Sequence, residues 1–146
     1  LASRRRARQY ALQALFQADV SACSAVSALA GLWDGQLDVD DDALGGRAAD
    51  EEEVDFASEL AAGVEGHLDA IDAAIEASST NWRIRRMAVV DRNVLRLGTF
   101  EILYRDDIPH NVTINEAVEM AKLFGSKESG SFVNGVLDRI ARDRKR

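Results

Sequence analysis

The chain has 146 residues, a formal charge of −7, one cysteine (Cys23) and two histidines (His67 and His110). A chain of that length buries roughly 70% of the surface its unfolded form exposes, so it needs neither disulfide nor metal to fold. A lone cysteine excludes an intrachain disulfide, argues against a structural zinc site and fits a reducing cytoplasm; no apolar run approaches the ~18 residues of a membrane span and no secretory signal follows the first arginines.

The spacing predicts a first helix from the candidate N-cap Ser3 to about Val20, with Ala7, Ala11, Ala14, Leu15 and Ala18 facing the core and Arg6, Gln9, Gln13 and Gln17 as a polar row. A short helix over 24–32 follows. The acid-rich stretch "DGQLDVDDDALGGRAADEEEVD" reads as a self-repelling loop. From about Asp50, the recurrence of Phe56, Leu60, Val64, Leu68, Ile71 and Ile75 predicts one long amphipathic helix, in spite of Gly63 and Gly66. "TNWRIRRM" reads as a short helical turn. "VVDRNVLRLGTFEILYR" is apolar on most sides and reads as the central helix, ended by "DDIPH". In "VTINEAVEMAKLFG", Thr113 and Glu116 match a capping box, Val112 can staple to Ala117, and Gly125 supplies the stop. A last helix carries Val133, Val136, Leu137 and Ile140 on one face. No strand and no repeat emerges.

The common catalytic and cofactor patterns are absent: no GxGxxG, Walker loop, HExxH or GxSxG. Neither histidine has a nucleophile or base partner in sequence. Asp38, Asp40 and Asp42 match the first ligands of a calcium loop, but Ala43 stands where glycine is needed and Ala49 where a bidentate glutamate is needed. Catalytic residues, metal and cofactor are therefore none.

The charge is uneven. Residues 1–33 carry Arg4, Arg5, Arg6 and Arg8 against Asp19, net +3, while residues 34–59 carry net −10. Cations in a first helical turn oppose the dipole, at about 0.3–1 kcal/mol each. Local stability does not account for them, but the same turn offers free N–H groups to an anion. A nucleic-acid phosphate satisfies both features, with Gln9 and Gln13 placed to reach base edges. The plainer reading is a basic terminus screened by salt or paired with the acidic stretch. A second feature is "FGSKESGSFVNG", a glycine- and serine-rich connection offering Lys127 and leading to Phe132 ahead of the final helix. An exposed Phe132 can stack an unpaired base; composition alone favours a core phenylalanine.

Taken together, "RRRARQYALQALFQ", "DRNVLRLGTFEIL", "INEAVEMAKLFG" and "FVNGVLDRIAR" resemble the NusB family of transcription antitermination proteins, from Arg4 to about Arg142. The resemblance does not extend to residues 34–50. It implies an all-α fold, a compact bundle of six or seven helices in two small helical subdomains (1–78 and 79–146). It implies a cytoplasmic, non-enzymatic adaptor that binds the boxA element of ribosomal RNA leaders as single-stranded RNA. The partners it implies are a small-subunit ribosomal protein, NusE, and the transcription elongation complex. Carried over by position, it points to Arg4, Arg5, Arg6, Arg8, Gln9, Gln13 and Phe132 for RNA and to Asp91 for the partner surface; Lys127 joins the RNA candidates from the glycine- and serine-rich connection alone. A competing reading is a protein-binding helical adaptor that docks a partner, or a second copy in a homodimer, through an apolar groove. The fold also resembles the N-terminal domain of ribosomal RNA cytosine methyltransferases, a runner-up reading that needs a following Rossmann-like catalytic domain, for which a sequence ending in "RDRKR" leaves no room.

Overall fold

Alanine-rich helical spacing is matched throughout by helix. The computed structural model describes residues 3–35, 48–80 and 82–144, and among these every regular element is helical. The elements are α1 (Arg4–Ser21), α2 (Ala25–Gly35), α3 (Glu51–Gly66), α4 (Leu68–Ser78), a 3-10 turn (Ile84–Arg86), α5 (Val89–Tyr104), α6 (His110–Phe124) and α7 (Ser129–Arg144). The all-α class agrees with expectation, with seven α-helices among the described residues. The acidic connection and the calcium-like ligands Asp38, Asp40 and Asp42 lie outside the described residues. Among the described residues no cluster of His, Cys, Asp and Glu could hold a metal, and no helix is long and apolar enough to cross a membrane.

The helices form two compact units, Leu1–Glu65 and Gly66–Arg146. In the first, Ser3 is the expected N-cap: its backbone is extended and its Oγ accepts from Arg6 N at 3.2 Å. Ala7, Ala11 and Ala14 are fully buried, and Tyr10 meets Trp33 of α2 edge-on at 4.9 Å. α1 ends on Ala22 in the left-handed region, φ 54°, with its N–H bonded to Ala18 O. α3 opens with a reciprocal box in which Asp50 Oδ1 accepts from Glu53 N (3.0 Å) and Glu53 Oε1 from Asp50 N (3.2 Å). Two α3 carboxylates also serve the neighbouring helix ends: Glu53 accepts from Ser3 N at 2.7 Å and Glu65 from Ala25 N at 2.6 Å. Backbone donors at the starts of α1 and α2 are thus satisfied from α3.

In the second unit α5 is central, packed against α4, α6 and α7. Leu95, Leu97, Ile102, Val133 and Leu137 are essentially buried. The absent side chain of Gly98 lets α7 approach: a Cβ there would lie 2.7 Å from Leu137 Cδ1. Asp72 of α4 clasps Arg96 of α5 with two bonds, 2.9 and 3.0 Å.

Several expectations are corrected. The single helix from Asp50 to Ile75 is two, because the chain leaves helical geometry at His67 (φ −126°, ψ 23°). The His67 ring stacks on Tyr104 of α5 at 4.0 Å, and Leu68 is 36% exposed instead of core. α4 accordingly groups with α5 and α7, and the two compact units divide at Glu65/Gly66. Thr113 is not an N-cap. α6 begins at His110, and the buried Thr113 hydroxyl donates to Glu101 Oε1 at 2.7 Å. Its value to that buried carboxylate exceeds its value as a cap. Finally, α7 begins at Ser129, so Phe132 lies inside its first turn and not ahead of it.

Candidate nucleic-acid interface

The first turn of α1 carries the arginines, and the structure shows what balances them. Arg6 Nη1 bonds Glu53 Oε1 at 2.9 Å, and Nη2 donates to the Tyr10 hydroxyl at 2.8 Å. The Glu53 side chain is fully buried. The anion demanded by this helix end is therefore supplied by α3. Phe56 of α3 adds a π-face, with the Arg4 guanidinium 4.4 Å and the Arg8 guanidinium 5.5 Å from its centroid. Arg8 is only 4% exposed and Arg6 9%.

This corrects the view that local stability leaves the arginines unexplained. Arg6 and Arg8 are accounted for by partners inside their own unit. Arg4 and Arg5 remain on the surface, as does Gln13, whereas Gln9 is buried. Beside Arg4 lies a hollow of about 270 Å³ whose lining includes Glu52, Glu53, Asp55 and Glu59. Four carboxylates make that hollow unfavourable for a phosphate, in contrast to the outer faces of Arg4 and Arg5.

The remaining sequence-predicted residues belong to the second unit. Lys127 is exposed in the turn before α7. That turn is ordered by serines: Ser126 N donates to Ser129 Oγ at 2.9 Å. Gly125 is required there by close approach, since a Cβ would lie 2.7 Å from Ala121 O and 2.5 Å from Ser129 Oγ. Phe132 is half-buried and meets Trp82 edge-on, ring centroids 6.3 Å apart. Asp91 stands in the first turn of α5, where a carboxylate suits the dipole, and its buried Oδ1 has no hydrogen-bond partner among the described residues.

Sequence reasoning passed over Trp82, which is 51% exposed and lines an open cleft of about 720 Å³ with Ser79, Thr80, Phe132 and Arg139. An indole in a segment read only as a helical turn was the available signal. Its convergence with Phe132, fifty residues further along the chain, was not visible in one dimension.

The NusB family model matches residues 5–142. The transcription antitermination protein NusB of Myxococcus xanthus (strain DK1622) is 48% identical over 141 residues, covering 97% of this chain and 96% of that relative. The protein of the same name from Anaeromyxobacter dehalogenans (strain 2CP-1) is 51% identical over 138 residues, covering 94% and 89%. Among solved structures, NusB from T. maritima superposes with a TM-score of 0.83 at 37% identity, covering 98% of this chain and 94% of that one. A chain from a crystal structure of antitermination factors NusB and NusE in complex with dsRNA gives 0.81 at 24% identity, covering 96% of each. At that identity the likeness is one of fold.

Proposed function

The chain belongs to the NusB family, and on that premise we propose that it is a transcription antitermination factor. In this reading it is a non-enzymatic adaptor that binds the single-stranded boxA RNA of ribosomal leaders. It does so with the small-subunit ribosomal protein NusE, as part of a transcription elongation complex. The observation that carries the reading is identity of 48–51% along nearly the whole chain to proteins of that name.

The geometry refines the roles. Arg4 and Arg5 carry the phosphate contacts at the α1 end, with Gln13 one face further along. Arg6 and Arg8 hold that end in place through Glu53 and Phe56. In the second unit Lys127 supplies a cation and Phe132 an aromatic wall. Asp91, at the start of α5, is assigned to the ribosomal-protein surface.

The test is fluorescence anisotropy with a boxA leader RNA, with and without the ribosomal protein. Specific binding, strengthened by the protein, is expected; equal affinity for a scrambled RNA under both conditions refutes the reading. A protein-docking adaptor that never touches RNA is the second reading, favoured by the exposed apolar residues Phe16, Val20 and Val26 on α1 and α2. Light scattering separates the two: self-association unaffected by RNA supports the second.

A further inference from the structure

The cleft lined by the end of α4, Trp82 and α7 combines features that a packing role does not require. Trp82 leaves half of its surface in water, although indole is among the side chains that gain most from burial. Phe132 stands against it at an interplanar angle of 68°. Ser79 is 95% buried, lines the cleft, and its hydroxyl has no hydrogen-bond partner among the described residues. A buried hydroxyl without a partner is costly, and the cost is removed when a ligand supplies one.

Gly135 adds a fourth observation. It sits in the middle of α7, where glycine is less favourable than alanine. Nothing lies within 4 Å of the position its Cβ would take, so no neighbour demands a glycine. The missing side chain instead widens the cleft that Gly135 lines. The volume of about 720 Å³ falls within the roughly 300–1,000 Å³ of small-molecule sites.

The charge narrows the ligand further. Arg139 Nη1 donates to Thr80 Oγ1 at 3.1 Å, and Arg142 pairs with Asp138 at 3.2 Å. Asp143 also stands in the lining. Arg142 is met by a carboxylate and Arg139 only by a neutral hydroxyl, so a single guanidinium charge stands at the edge of the aromatic face and does not make a phosphate channel. An aromatic face with an unsatisfied hydroxyl suits a flat heterocycle with a polar edge.

We propose that this cleft is a base pocket, in which Trp82 stacks one unpaired nucleobase of a single-stranded RNA, Phe132 forms the side wall and the Ser79 hydroxyl bonds the base edge. The proposal rests on the RNA-binding reading above and extends it to residues that the arginine-rich turn does not include. Stacking adds affinity without counterion release, so the pocket and the arginines differ in their response to salt.

The experiment measures anisotropy of the full chain with a boxA leader RNA across a salt series, using Trp82→Ala, Trp82→Phe, Ser79→Ala and Gly135→Leu. Trp82→Ala and Gly135→Leu are expected to weaken binding about tenfold with an unchanged salt slope. Trp82→Phe restores most of the affinity, and Ser79→Ala reduces the preference over scrambled RNA. In a Trp33→Phe background, RNA quenches the fluorescence of Trp82. Unchanged affinity of Trp82→Ala beside a binding wild type overturns the pocket and leaves the proposed function standing. Retained RNA affinity with lost binding of the ribosomal protein also overturns it, making the cleft a protein dock. A wild type that binds no RNA, with or without that protein, overturns the function and the pocket together.

Discussion

Arg6 shows how a single residue changes meaning between sequence and structure. In sequence it is one of four cations crowded at the unfavourable end of a helix; in the fold it neutralises the buried Glu53 and bonds Tyr10. Arg6→Ala should destabilise the protein by about 3–5 kcal/mol, because it removes the guanidinium paired with a buried carboxylate. Lys127→Ala, at an exposed cation in the turn before α7, should leave the melting temperature nearly unchanged and lower RNA affinity. Thermal melts and anisotropy on the two variants check this; equal melting temperatures would remove Arg6 from the structural account. Ala22 offers the opposite sign. It occupies the left-handed region at φ 54°, which costs a residue bearing a Cβ about 1–2 kcal/mol. Ala22→Gly should therefore raise the melting temperature, by up to about 1 kcal/mol of stability after glycine's greater unfolded-state entropy is counted.

At the scale of elements, the chain's helices are legible from periodicity, but their joints are not. Ser3 and the alanine face of α1 behave as their sequence indicates, since a cap and a buried stripe depend on residues within a few positions. The break at His67 does not, because it is decided by stacking on Tyr104, a residue far along the chain. Thr113 makes the same point. Its spacing to Glu116 fits a capping box, yet its hydroxyl is drawn to Glu101 on α5. Thr113→Val should cost about 1–3 kcal/mol by leaving the Glu101 oxygen without its donor, while Thr113→Ser should retain most of the stability. Denaturant unfolding measures both; a valine variant as stable as wild type would restore Thr113 to a peripheral role.

For the molecule as a whole, the net charge of −7 conceals where binding is to be sought. The four α1 arginines would release counterions from about four phosphates and give a salt slope near −3 for a single strand. With Arg6 and Arg8 engaged, the exposed cations among the named residues are Arg4, Arg5 and Lys127. The expected slope of log K against log salt is then about −2, falling by about 1.4 when Arg4 and Arg5 are both replaced by alanine. A slope of −3 or steeper would show that Arg6 or Arg8 leaves its partner to meet RNA.

The sequence alone determined the helical class, the faces that enter the core and the family resemblance, because these rest on local spacing and on motifs of contiguous residues. The tertiary structure decided which cations are spent inside the protein, where the long amphipathic stretch divides, and that Trp82 faces Phe132 beside a buried Ser79 hydroxyl. Those outcomes depend on pairs distant in the chain, where a buried charge or hydroxyl takes the partner that the fold brings near. Periodicity carries no information about such partners.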